Sequence, residues 1–383
     1  MEKLGLGVVG CGNIAMTYMR NAGLFGEVEL RGCADLSIEA ARLRAGEYGV
    51  RAMGVDELLR DPGINLVLNL TVPAAHFDVT MSALTAGKHV FTEKPLGITA
   101  AEGRRLVAEA EARGLKLGSA PDTFLGAAGR RARRLVDEGA IGRPVAGTAF
   151  MFGRGMEHWH PNPQFYYQPG GGPVLDMGPY YLTTLVNLLG SVSRVTAITG
   201  SGQAERLITA EGPFKDTTFP VGTPTTALSL LQFASGALVT FGASWDVFRH
   251  SNQPIELHGT QGSLSLPDPD TFGGTVSLSR RGEEWENFES EGELFGAINW
   301  PFGDRPTRAN YRMLGVADLV RSIRENRSPR ASGALALHVL EIMEATLRSG
   351  ETGEAVRLES GAERPDLLGE AEAASLLASD QKR

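Results

Sequence analysis

Cysteine is nearly absent. Cys11 and Cys33 are the only two in 383 residues. Neither stands at metal-ligand spacing from another candidate ligand, so no metal centre is expected, and a reducing, cytoplasmic compartment fits the chain. A basic excess is also lacking. With 37 Lys and Arg against 45 Asp and Glu, the formal net charge is −8, which argues against nucleic acid or an anionic membrane as partner. No apolar run approaches the roughly 20 residues needed to cross a bilayer. Met1-Glu2-Lys3 leads straight into a strand pattern, without the charged-then-apolar signal of an exported chain. What is abundant is glycine, with 48 residues, and apolar side chains, at 42%. The length suggests two domains, and the apolar content is ample for their cores.

The first informative segment is Leu6-Gly7-Val8-Val9 running into Gly10-Cys11-Gly12-Asn13-Ile14-Ala15, with Asp35 at the end of the next apolar run. A strand, a glycine turn, a helix and a strand-end carboxylate are the parts needed to hold a dinucleotide. Gly10 permits the tight turn. Gly12 keeps no side chain between backbone and pyrophosphate, and Ala15 lets helix and strand pack closely. The helix N-terminus offers unpaired N–H groups to the phosphates. Asp35 suits the two ribose hydroxyls and repels a 2′-phosphate. Leu36 and Ser37 follow it with no adjacent cation, which favours NAD over NADP. Arg42 or Arg44, reaching over from the following helix, would instead serve NADP.

The first third alternates strand patterns (4–9, 28–34, 66–71, 89–92, 115–119) with helical ones (56–60, 76–86, 100–113). This order predicts an α/β unit, a doubly wound parallel sheet over residues 1–122. Ligands on such sheets bind beyond the carboxyl ends of the strands. The expected cofactor contacts are therefore Gly10, Gly12, Asn13, Ile14, Asp35, Thr71, Pro73, His76, Glu93 and Lys94, with Asp122 nearby for substrate. Residues 123–383 read differently. After a helix at 129–138 come long strand patterns at 145–153, 192–199, 225–234, 237–245, 254–258 and 276–279, with a hairpin turn at 233–237. Helices at 312–325 and 333–349 follow. An α+β domain with a large, mostly antiparallel sheet is expected. The acidic, alanine-rich tail from Ser360 reads as a final helix or a frayed end.

Two further segments carry chemistry. In His89-Val90-Phe91-Thr92-Glu93-Lys94-Pro95, a lysine directly after a strand and before proline is held extended over the crevice. A cis Lys94–Pro95 bond would fix its direction. Lysine serves in proton transfer when burial or a nearby cation lowers its pKa, and oxidised nicotinamide is such a cation. In Gly170-Gly171-Gly172-Pro173-Val174-Leu175-Asp176-Met177-Gly178-Pro179-Tyr180-Tyr181, a helix is expected to begin with Pro179 in its first turn. Asp176 and Tyr180, four apart, share a helical face. Asp176 is open to a second role as the helix cap.

Together these segments resemble the Gfo/Idh/MocA family of oxidoreductases. The resemblance runs from Gly10–Ala15 through Thr71-Val72-Pro73 with His76, Ala86-Gly87-Lys88-His89-Val90 and Glu93-Lys94-Pro95. It continues through Asp176-Met177-Gly178 to His258-Gly259-Thr260-Gln261-Gly262. It implies an N-terminal Rossmann domain and a C-terminal open-sheet domain that forms homodimers or homotetramers. It also implies NAD(P)-dependent chemistry on sugars, inositols or their derivatives. Family members commonly carry His where this chain has Tyr180, and an Asn-x-Arg-Phe-like stretch where it has Pro121-Asp122-Thr123-Phe124. Both departures resemble a subgroup acting on glycosides at sugar C3, with Trp159-His160-Pro161-Asn162-Pro163 ahead of the glycine run.

Lys94, Asp176 and Tyr180 are accordingly the expected catalytic residues. A neighbouring Lys94 and the nicotinamide charge would lower the Tyr180 phenol from its ordinary value near 10. His160 or His158 would otherwise supply an imidazole. Asp122, Trp159, His160 and Tyr181 are expected substrate contacts, and Tyr166, Tyr167 and Trp300 are further candidate stacking surfaces. The reaction expected is hydride exchange between nicotinamide and a sugar-like secondary alcohol. Two alternatives are an NAD-dependent, redox-neutral glycosidase or lyase working through transient C3 oxidation, and a non-enzymatic dinucleotide sensor.

Overall fold

A computed structural model describes residues 3–302 and 305–379. Residues 1 and 2 of the start-of-chain reading, and residues 380–383 of the acidic tail, lie outside the described residues. The first sheet contains β1 (Leu4–Val9), β2 (Val28–Ala34), β3 (Arg51–Met53), β4 (Leu66–Asn69), β5 (His89–Thr92) and β6 (Leu117–Ser119). Their order is β3-β2-β1-β4-β5-β6, and every neighbouring pair is parallel. Between them run α1 (Asn13–Ala22), α2 (Ile38–Tyr48), α3 (Val55–Arg60), α4 (Pro73–Thr85) and α5 (Ala100–Ala112). The strand order reverses between β1 and β4, and this switch point opens a crevice at the strand ends.

Local chemistry sets several boundaries. Ser37 caps α2 by accepting from the Ala40 amide, and Gly49 ends it in the left-handed conformation. Thr99 and Glu102 form a reciprocal capping box on α5. The short β3 and α2 carry little sequence pattern. β3 buries one residue, Met53, and α2 buries only Ala41 and Ala45.

After α6 (Ala127–Asp137) comes β7 (Pro144–Phe152), then α7 (Pro173–Leu189). The large sheet is completed by β8 (Val192–Gly200), β11 (Thr226–Phe233), β12 (Leu238–Ser244), β13 (Ile255–Gly259), β14 (Gly262–Leu266), β15 (Thr275–Arg280), β16 (Glu286–Glu289) and β19 (Val356–Arg357). Two small hairpins, β9 (Glu205–Leu207) with β10 (Thr218–Pro220) and β17 (Trp300–Phe302) with β18 (Arg305–Arg308), branch from it. The nine-stranded order is β16-β15-β14-β13-β7-β12-β11-β8-β19. Pairing is antiparallel except between β7 and β12, which run parallel from Ala146↔Leu238 to Phe152↔Ser244. Strand β11 alternates buried and exposed residues, so one face packs inward and the other points outward. α7 lies on the inner face and is almost wholly buried beyond its second turn.

The chain then returns to the first sheet. α8 (Leu314–Glu325) and α9 (Gly333–Thr352) pack beside β6, where Gly118 is bridged to Ser332. The tail forms a short helix, α10 (Glu370–Leu376), anchored where the Gly26 amide donates to the Leu376 carbonyl at 3.0 Å. Fully buried Asp318 accepts from the Arg330 amide at 2.6 Å, and the Arg330 guanidinium reaches Glu372 on α10. Residues far apart in the chain are thus locked against one unit. Among the described residues, no helix is long and apolar enough to cross a membrane.

Candidate active site

The crevice begins at the glycine turn. Gly10 has φ +100°, and a Cβ there would lie 2.5 Å from the Leu70 carbonyl oxygen, so glycine is required by both conformation and space. Gly12 is different. It precedes α1 in extended conformation, and a Cβ on it would meet nothing within 4 Å among the described residues. Open space therefore lies beside Gly12, at a helix start with no acidic residue in its first turn. Asn13 is exposed and Ile14 half-buried at the same opening. Asp35 is shaped by the turn: Oδ2 accepts from the Cys11 amide at 2.8 Å and Oδ1 from the Ser37 amide at 2.9 Å. Arg44 reaches over to the Cys11 carbonyl at 3.3 Å, and its guanidinium is paired with Glu47 at 2.6 Å. This open space at a helix N-terminus, with a strand-end carboxylate beside it, fits a dinucleotide.

The other cofactor candidates divide into rim and support. Pro73 is exposed at the first position of α4, and the Thr71 hydroxyl donates to Asn69 Oδ1 at 2.7 Å. His76 is buried, with Nδ1 2.7 Å from the Pro95 carbonyl oxygen and Nε2 3.0 Å from that of Thr71. It braces the two loops of the crevice from below. Glu93 is likewise turned inward. It accepts from the Tyr18 hydroxyl of α1 at 2.8 Å and from the Lys94 amide at 2.9 Å.

Lys94 crosses to the second sheet's side. The Lys94–Pro95 peptide is cis, as is Ala120–Pro121. Nζ donates to the Asp176 carbonyl at 2.6 Å and to Asp176 Oδ1 at 2.8 Å, and lies 5.4 Å from the centre of the Tyr180 ring. α7 starts at Pro173 after Gly172, so Asp176 is not its cap and Pro179 sits in the second turn rather than the first. Lys94, Asp176 and Tyr180 are thus brought together.

Their electrostatics differ from the sequence expectation. Burial works to lower the Lys94 ammonium, but the charge of Asp176, followed by Tyr180 and Glu93, outweighs it and holds the group above the ordinary lysine range. Lys94 is an ammonium, not a free base. For Tyr180, burial and then Asp270 push the phenol up; Lys94 and Arg312 oppose this without cancelling it. The lowering expected for both groups is absent in the protein alone: a half-buried carboxylate accompanies each cation, and burial of the Tyr180 phenol is itself the larger influence there.

The expected substrate contacts are dispersed. Asp122 faces the start of α8 rather than the crevice. Its Oδ2 accepts from the amides of Met313 at 3.2 Å and Gly315 at 2.8 Å, and burial raises the carboxyl to about 6. Tyr181 is buried on the neighbouring face of α7, its ring 6.4 Å from that of Phe241. His160 is ringed by Trp159, Phe165 and Tyr166 at 5.4–5.5 Å. Trp159 is half-exposed. Tyr166 lies near enough to feel the charges of Asp176 and Lys94. Tyr167 is core, against Phe219 and Trp245 with its hydroxyl on Glu157. Trp300 packs under the Arg20 guanidinium at 4.5 Å, beside α1.

Sequence reasoning missed Arg312, whose Nη2 donates to the Tyr180 hydroxyl at 3.2 Å and to Asp270 Oδ1 at 2.7 Å. It also missed Tyr18. Pro267-Asp268-Pro269-Asp270 was a local signal only for the turn that carries Asp270, the partner of Arg312.

Residues 4–120 match the oxidoreductase family with an NAD-binding Rossmann fold, and residues 130–265 match the GFO/IDH/MocA C-terminal domain. A 1,5-anhydro-D-fructose reductase of Ensifer adhaerens is 27% identical over 93% of this chain and 98% of its own. A dTDP-3,4-didehydro-2,6-dideoxy-alpha-D-glucose 3-reductase of Streptomyces violaceoruber is 33% identical over 70% of this chain and 73% of its own. An NAD binding oxidoreductase from Klebsiella pneumoniae shares the fold, with a TM-score of 0.80, 22% identity, and coverage of 93% and 98%.

Proposed function

From the premise that this chain belongs to the GFO/IDH/MocA oxidoreductase family and is an NAD-dependent enzyme acting on CH–OH groups, we propose that it interconverts a secondary alcohol and its ketone on a sugar, an inositol or a glycoside. C3 of a sugar ring is the position we favour, supported by the relative named as a sugar 3-reductase. The observation that carries the reading is the Lys94 ammonium held 2.8 Å from Asp176 Oδ1 and over the Tyr180 ring, at the strand-end crevice.

When bound, NAD supplies the nicotinamide ring that accepts or returns hydride. The chain's residues do the rest. Gly10, Gly12, Asn13 and Ile14 would hold the pyrophosphate and Asp35 the adenosine ribose, with Thr71, Pro73 and Glu93 shaping the crevice toward Lys94. Asp176 keeps Lys94 charged and aimed. The ammonium donates to the reacting oxygen, and Tyr180 delivers or removes the proton there. Tyr166, with Trp159 and His160 further out, walls the sugar's apolar face.

Residues 1–122 form the cofactor unit in this reading and 123–383 the substrate and oligomerisation unit. Ile198, Leu228, Leu230 and Leu238 are exposed on one face of β8, β11 and β12, which supports a homodimer or homotetramer. Two free, buried cysteines support a cytoplasmic enzyme.

The test is a panel of sugars, inositols, glycosides and their keto forms with NAD(H) and NADP(H), followed at the reduced-nicotinamide absorbance. Turnover of a sugar-like alcohol or ketone, with NAD preferred, is expected. Glycoside cleavage without net change in NADH would replace this reading by the redox-neutral one. Silence across the panel from a protein that binds NAD would remove sugar-like substrates.

A further inference from the structure

We propose that Arg312, anchored by Asp270, is a positioning residue that directs the Tyr180 proton toward the reacting oxygen. The inference rests on the proton-transfer reading above. A guanidinium has donors only. When Nη2 donates to the Tyr180 oxygen at 3.2 Å, that oxygen is the acceptor, and the phenol's own proton must point elsewhere. The guanidinium occupies one side of the phenol, and Lys94 stands over its ring. The phenol's proton is left for an acceptor on the side that Arg312 does not occupy, which in the proposal is the reacting oxygen.

The arginine is fixed at both ends. Its Nη2 also donates to Asp270 Oδ1 at 2.7 Å, and Arg308 approaches the same carboxylate at 3.8 Å. Its backbone carbonyl accepts from Asn21 Nδ2 of α1 at 3.0 Å, and its amide donates to Asn310 Oδ1 at 3.2 Å. The next amide, of Met313, is held by Asp122. Asp122 thus acts on the site at one remove, by holding the segment that carries Arg312.

The charged groups around Tyr180 come from four places: Lys94 and Glu93 after β5, Asp270 from the loop after β14, Arg312 before α8, and Asp176, already paired with Lys94, on α7 itself. Arg312 and Lys94 favour the phenolate, and Asp270 and Glu93 oppose it. Replacing Arg312 by a neutral residue removes one of two cationic supports and frees the phenol to turn.

The experiment is a double-mutant cycle between Arg312→Gln and Tyr180→Phe in the full chain, with kcat, KM, the solvent deuterium isotope effect and NADH affinity measured for each. Arg312→Gln alone should lower kcat by about tenfold or more, leave KM and NADH binding within about twofold, and enlarge the solvent isotope effect. In the Tyr180→Phe background the same substitution should change kcat by less than about twofold. Arg312→Lys, which keeps a cationic donor, should recover part of the loss and keeps the question answerable if Arg312→Gln folds poorly. Equal losses in both backgrounds, or full activity of Arg312→Gln, would overturn the proposal while leaving the Lys94 reading intact. Full activity of Tyr180→Phe and Lys94→Met together would instead sink the reading on which it rests.

Discussion

Lys94 and Asp176, 82 residues apart, meet through two hydrogen bonds from one ammonium, to the backbone carbonyl at 2.6 Å and to the carboxylate at 2.8 Å. The contact joins the loop just after β5 to the first turn of α7. It aims the lysine and helps keep it charged, because the attractions of Asp176, Tyr180 and Glu93 together outweigh the cost of burial.

Removing that ammonium should separate chemistry from binding. A positioned acid or base contributes about 10²–10⁴-fold in rate. Lys94→Met is expected to lower kcat by an amount in that range while NAD binding, read by calorimetry, stays unchanged. A variant turning over within twofold of wild type would take Lys94 out of the mechanism.

Two glycines, two residues apart in the same turn, should fail in different ways. At Gly12 an added Cβ meets nothing within 4 Å, so Gly12→Ala should leave the unfolding temperature of the ligand-free protein within about 3 °C while weakening NAD by about tenfold or more. At Gly10 the added carbon collides with the Leu70 carbonyl at positive φ, so Gly10→Ala should destabilise the fold itself by about 2–4 kcal/mol. Thermal melts with and without NAD separate the two. Loss of fold in Gly12→Ala would show that its open space is structural.

Asp122 gives the stability a particular pH dependence. Burial raises its folded pKa to about 6, above the value of an exposed aspartate. The folded chain therefore holds a proton that the unfolded chain has already lost between about pH 4 and 6. Stability contributed by this group is present at low pH and lost as pH rises through that window. Asp122→Asn keeps an acceptor for the Met313 and Gly315 amides but has nothing to titrate. Relative to wild type it should gain on the order of 1–3 kcal/mol between pH 4 and pH 7. Denaturant titrations giving parallel stability profiles for the two proteins would contradict the assignment.

Much of the site's skeleton could be read locally. The strand, glycine turn and strand-end carboxylate are contiguous signals, because the geometry of a βα turn is set by its own residues. The lysine before proline and the Asp176/Tyr180 spacing are equally local. What the one-dimensional pattern misjudged was direction. Asp122, His76 and Glu93 all follow strands as cofactor or substrate contacts would, yet each points into the protein to satisfy backbone or side-chain partners from distant elements. Nothing near a residue in the chain reveals which buried donor will be left needing it.

The sequence by itself determined the parallel sheet, its cofactor turn, the antiparallel character of the second sheet and the residue types available for proton transfer. All of these follow from periodicity and turn chemistry within short windows. Only the tertiary structure decided that Asp270, from the loop after β14, and Arg312, from the segment before α8, converge on Tyr180, and that α8, α9 and α10 return to the first sheet. The reason is physical. Such meetings are selected by the packing of whole elements and by pairing of buried charges, and these energies depend on neighbours that are distant along the chain.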